Sequence, residues 1–146
     1  MATYRVEIVM DSHCNGAHRL FGGQLMTWID ITAAVEARRH SKSSVTLKSV
    51  DNLVFLSPVF LDETVSVEAK LTWSGTTSME VKVNTYVEKL SGDRNLVNSA
   101  YLIFVAIDAE GKPISVPKFV PQTLEEISEY EGALMRRQIR LSSGPM

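Results

Sequence analysis

The longest regular pattern in the chain has period two: Val65, Val67, Ala69, Leu71 and Trp73 are apolar, and Thr64, Ser66, Glu68, Lys70 and Thr72 between them are polar. A strand with one face toward a core and the other toward water reads this way. Ser74-Gly75-Thr76-Thr77 follows as a turn, and residues 79–87 return with Met79, Val81 and Val83 alternating against Glu80, Lys82 and Asn84. The two runs predict a long hairpin. After a second turn at Ser91-Gly92-Asp93, residues 96–108 form a third strand, more continuously apolar and therefore central. Residues 3–10 supply a strand before these, and residues 45–59 another, broken at Pro58.

The period changes in two places. From Gly22 to about Arg39 the residues are good helix formers, and Leu25, Met26, Trp28, Ile29, Ile31, Ala33, Ala34 and Val35 point in nearly every direction around the axis. Such a helix is expected to be enclosed rather than to lie on a surface. After Pro121, a second helix is expected over about 121–141, with Glu125, Glu126 and Glu129 early and Arg136, Arg137 and Arg140 late, as the helix dipole favours. The order of elements predicts an α+β fold in which a curved antiparallel sheet wraps one apolar helix.

Length and charge narrow the function. The 146 residues suit one domain spanning 1–146, and a formal net charge of -2 leaves no basic footprint for nucleic acid. There is no secretory leader pattern and no apolar run of membrane-spanning length, so a cytoplasmic protein that binds no membrane is expected. The lone Cys14 makes no internal disulfide, and with His13 and His18 nearby it is a weak thiol or metal candidate. His40, after Arg38-Arg39, is accounted for by the helix end. No G-x-S-x-G elbow, phosphate-binding loop, dinucleotide fingerprint or H-E-x-x-H is present.

The candidate chemistry lies in residues 15–30, NGAHRLFGGQLMTWID. Asp30 follows Gly23 by seven positions, which puts the two on one stripe about two turns apart. Free N–H groups at a helix start form an oxyanion site, and glycine lets a carbonyl approach them. A carboxylate on the same stripe can then activate water. The other reading is an Asp30 held in a salt bridge, with Gly22-Gly23 a tight turn. Asn15 is likewise either a turn residue or a substrate-orienting amide.

Asn15 through Asp30, Arg39-His40, FLSPV at 55–59, the GTTSMEV turn at 75–81 and GKPISVP at 111–117 together resemble the hotdog-fold acyl-CoA thioesterases, especially the short bacterial acyl-CoA hydrolases. The resemblance implies hydrolysis of acyl-CoA to acid and CoA with no metal and no cofactor, CoA being part of the substrate. It implies homodimers, often three to a hexamer, in which Asn15 of one subunit faces Asp30 of the other. Asp30 matches the family's catalytic carboxylate, as general base or as nucleophile, and Gly23 matches the glycine facing the thioester carbonyl. One departure is His18, where many members have glycine. The turn Gly75, Thr76, Thr77 and Ser78 falls on the family's CoA-binding edge. Arg136, Arg137 and Arg140 are candidates for the CoA phosphates. Met26, Trp28 and Phe55 are candidates to wall an acyl pocket. The alternative is a non-catalytic acyl-CoA-binding module on the same fold.

Overall fold

The alternating runs pair into one antiparallel sheet. The structure, a computed structural model, describes residues 2–143. Its strands are β1 (Thr3–Ile8), β2 (Ser44–Phe55), β3 (Thr64–Ser74), β4 (Ser78–Glu88) and β5 (Arg94–Ile107). Helix α1 (Gly22–Ser41) lies against one face and α2 (Leu124–Ser143) follows β5. β3 and β4 form the expected hairpin, while β4, not β5, is the middle strand; β5 lies between it and edge strand β2. No helix among the described residues is long and apolar enough to cross a membrane.

Val65, Val67, Ala69, Met79, Val81, Val83, Leu102 and Phe104 line the inner face and pack with Leu25, Trp28, Ile29, Ala33 and Ala37 of α1. The period-two reading fails at Trp73. A bulge between Leu71 and Trp73 sets Trp73 opposite Glu80 instead of on the face of Val81. One extra residue in a strand turns every later side chain to the other face. Trp73 accordingly meets α2, where the Arg137 guanidinium lies 5.5 Å from its ring.

α1 is also less enclosed than its composition predicts. Its buried stripe, Leu25, Trp28, Ile29, Thr32, Ala33, Glu36 and Ala37, faces the sheet. Thr27 and Ile31 on the other side are exposed, Ile31 by 46%. Five strands curl around only part of a helix this long, and an apolar side stays open.

α2 starts where Thr123 caps it: Thr123 Oγ1 accepts from Glu126 N–H, and Glu126 Oε1 accepts from Gln122 N–H. Its buried side carries charge. Glu80, 0% exposed, accepts two bonds from Arg136 at 2.8 and 2.9 Å and one from the Thr72 hydroxyl at 2.5 Å. Arg140 pairs with Asp51 at 2.7 Å, and Lys82 with Glu129.

Candidate active site

Helix α1 opens at Gly22 because Phe21 caps it with extended backbone and no side-chain bond. Gln24 and Leu25 N–H both donate to Phe21 O, whereas Gly22 and Gly23 N–H have no acceptor among the described residues. Two orphan donors therefore face outward at the positive end of the helix dipole. A Cβ at Gly23 would lie 2.6 Å from the Phe21 ring, so only glycine allows this ring to fold over the helix start.

Asp30 sits two turns further on the open side, half-buried, with no hydrogen bond or ion pair among the described residues. Burial alone raises its carboxyl pKa above the ordinary value. The salt-bridged alternative for this residue is thus not realised among the described residues. The carboxylate that is buried in α1 is Glu36, 7% exposed, which accepts from the Thr3 hydroxyl at 2.8 Å and from Leu71 N–H at 2.9 Å. Its sequence signal was its place on the stripe of Trp28, Ile29 and Ala33.

Asn15 builds the entry loop. Its side-chain oxygen accepts from Ala17 N–H (3.0 Å) and Arg19 N–H (3.4 Å), and its backbone oxygen accepts from His18 N–H. His18 closes that turn with φ of 58°, the left-handed conformation that glycine adopts most readily. The loop is fastened from the 55–61 segment: Leu20 N–H donates to Val59 O and Leu61 N–H to His18 O. Asn15 is therefore a turn residue, yet its amide nitrogen has no partner among the described residues. No hydrogen bond joins it to Asp30 within one chain.

The remaining candidates divide. Gly75–Ser78 forms the β3–β4 turn, with Gly75 N–H on Ser78 O, and the Trp73 ring packs where a Gly75 Cβ would stand, 2.6 Å away. Arg137 lies over that same ring, so Arg137 and the turn share one edge of the molecule. Arg136 does not join them. Glu80 holds its guanidinium fork, Tyr101 stacks on it at 3.7 Å, and the bond to Glu80 raises its pKa although burial works against the charge. Arg136 thus fastens α2, and Arg140 is likewise engaged by Asp51.

The acyl-wall candidates lie on α1 and at the end of β2. Trp28 is buried against His13, with ring centroids 4.9 Å apart, and lies under Arg5 of edge strand β1. Phe55 is 53% exposed at the end of the opposite edge strand, β2. Met26 packs half-buried on the core. Among the described residues no group of His, Cys, Asp and Glu is placed to hold a metal.

The thioesterase superfamily model matches residues 18–91. A Bacillus subtilis (strain 168) protein named as an uncharacterized acyl-CoA thioester hydrolase, YkhA, is 42% identical over 127 residues, covering 86% of this chain and 74% of its own length. The Staphylococcus aureus acyl-CoA hydrolase, solved with butyryl coenzyme A, coenzyme A and coenzyme A disulfide, superposes with a TM-score of 0.91 at 34% identity, over 97% of this chain and 87% of its own. An apo hexameric acyl-CoA thioesterase gives a TM-score of 0.92 at 35% identity, covering 97% and 92%. The S. aureus protein was also solved as an asparagine-to-alanine and an aspartate-to-alanine variant, at positions separated by the same interval as Asn15 and Asp30. A threonine variant lies 17 positions after that aspartate; here the interval falls on Leu47 in β2, beside Thr46, and neither residue is among the candidates read from the sequence.

Proposed function

This chain belongs to the thioesterase superfamily, and from that premise we infer that it is an acyl-CoA thioester hydrolase, releasing a carboxylic acid and free CoA. The observation that carries the mechanism is the unpaired, half-buried Asp30 two turns from the orphan N–H groups of Gly22 and Gly23. The Gly23 N–H polarises the thioester carbonyl and holds the developing oxyanion. Asp30 takes a proton from the attacking water, and the Asn15 amide N–H orients that water or the carbonyl. A thiol leaving group has a pKa of roughly 8.5, so it departs as thiolate without a strong acid. CoA is substrate and product, and no further cofactor enters. Along the turn edge, Gly75 to Ser78 and Arg137 take the CoA end.

The site is composite. Asn15 and Asp30 do not bond within one chain, the side of α1 that carries Asp30 is open, and a second copy placing its Asn15 loop there completes both halves. We assign a homodimer, three of which form a hexamer, in line with the hexameric neighbour. The chain works in the cytoplasm and contacts neither nucleic acid nor membrane.

Mixing subunits tests this. Asn15→Ala and Asp30→Asn should each release little thiol from acyl-CoAs of graded chain length. Co-refolded together they should recover activity at about a quarter of the wild-type sites, because each mixed dimer regenerates one intact site. No recovery would place both groups in one chain. Acyl-CoA binding by the wild type without thiol release would replace the enzyme by a binding module.

A further inference from the structure

Two sequence motifs without a catalytic role, Arg39-His40 and residues 111–117, meet the Gly75–Ser78 turn at the far end of α1. Residues 113–119, between β5 and α2, form a strap without helix or extended ladder. Pro113 and Pro117 have no N–H to donate, and the strap relies on fastenings to its surroundings. Ile114 N–H donates to Ala106 O, and Val116 N–H donates to Thr76 O at 2.9 Å. Phe119 N–H donates to Ser74 Oγ at 2.7 Å, and Ser74 Oγ donates to Pro117 O at 3.3 Å. The shortest fastening comes from α1: His40 Nε2 lies 2.6 Å from Pro117 O. A carbonyl can only accept, so this nitrogen carries the proton. The Phe119 ring meets His40 edge-on on one side and Tyr130 of α2 on the other.

The strap thus grips the β3–β4 turn at Ser74, where β3 ends, and at Thr76 within the turn, while His40 ties the strap to α1. Gly23 and His40 are 17 residues apart on that helix, about 25 Å along its axis. One rigid rod therefore carries the oxyanion donor at one end and the anchor of the turn at the other.

We propose that His40 is a positioning residue for the CoA end of the substrate: by holding Pro117 O it keeps the strap, and through it the Gly75–Ser78 turn, at a fixed distance from the reacting carbonyl. This rests on the reading of that turn as the CoA contact. His40 touches no reacting atom. Its loss frees the turn to drift, which costs the affinity gained from the distant end of the substrate and leaves the chemistry at Asp30 intact.

The readout is KM against kcat on two substrates, an acyl-CoA and the corresponding acyl-pantetheine, which lacks the nucleotide. His40→Ala should raise KM for acyl-CoA about five- to tenfold with kcat within about twofold, and leave kcat/KM for acyl-pantetheine unchanged. His40→Gln, whose amide N–H reaches the same carbonyl, should restore most of the loss. Ser74→Ala should give the same pattern at smaller amplitude, and it carries the test if His40→Ala does not fold. An unchanged KM, equal losses on the two substrates, or no rescue by glutamine would overturn the proposal. A wild-type chain that releases no thiol would instead fell the thioesterase reading beneath it.

Discussion

Asp30 and Glu36 stand six residues apart on α1, and the fold treats them in opposite ways. Glu36 faces the sheet and is paid back for burial: each oxygen accepts a bond, one of them from a backbone N–H that β1 does not reach, since β1 starts opposite Ala69 and leaves Leu71 free. Asp30 faces the open side, loses part of its hydration and receives no bond from the described residues in return. A buried carboxylate is tolerated when paired; one left half-buried and unpaired is kept basic and available. The first arrangement holds the helix to the sheet, and the second is what a general base needs.

The largest expected effect breaks the Asp30 side. Asp30→Asn should lower kcat by about two to four orders of magnitude while leaving the melting temperature equal or higher. The sign follows from the raised pKa. A carboxyl whose folded pKa lies above its unfolded value loses stability as pH rises from the ordinary aspartate value through the raised one, and the amide has no charge to desolvate. A fall in both activity and melting temperature would mean that Asp30 has a structural partner after all. The same shift fixes the pH profile: kcat/KM should fall as pH drops through the raised pKa, so the acid limb should lie above the ordinary aspartate value of about 3.9. An acid limb at or below that value would detach the limb from Asp30.

The next effect breaks the other side. Glu36→Ala leaves the buried Leu71 N–H without an acceptor and the Thr3 hydroxyl with only its bond from Arg39, and should cost about 2–4 kcal/mol in urea unfolding. Among the molecules that remain folded, kcat should stay within about threefold. Glu36→Gln, which keeps an acceptor for one of the two donors, should fall between. A Glu36 variant that unfolds no more easily yet loses turnover would exchange the roles of the two carboxylates.

The sequence carried most of the architecture because the strands advertise themselves by alternation and α1 by its formers. It misplaced Trp73 because a one-residue bulge has no composition of its own, and it enclosed α1 because counting apolar directions says nothing about how far five strands can curl. Placement was legible where it is local: Gly23 at a helix start, Asn15 in a turn, Asp30 on the same stripe as Gly23. It was illegible where a role depends on a distant partner. Arg136 looked free until Glu80, from a strand 56 residues earlier, closed on it, and His40 looked like a dipole cap until Pro117, 77 residues on, came within hydrogen-bond reach.

The smallest effect sharpens the comparison at the helix start, where two adjacent glycines differ. A Cβ at Gly22 meets nothing within 4 Å, whereas one at Gly23 meets three atoms of the Phe21 ring, the nearest at 2.6 Å. Gly22→Ala should therefore leave kcat/KM within about twofold and, by lowering the entropy of the unfolded chain, add a few tenths of a kcal/mol. Gly23→Ala gains the same entropy but pushes aside an exposed ring that is free to swing, so its stability should change little. Its methyl group also crowds the N–H that the thioester carbonyl must reach, and kcat/KM should drop about tenfold. Both are measured by thiol release and thermal melting on the same preparations. Equal activities for the two variants would move the oxyanion contact away from Gly23, because the two positions share a helix end and differ in what stands above them.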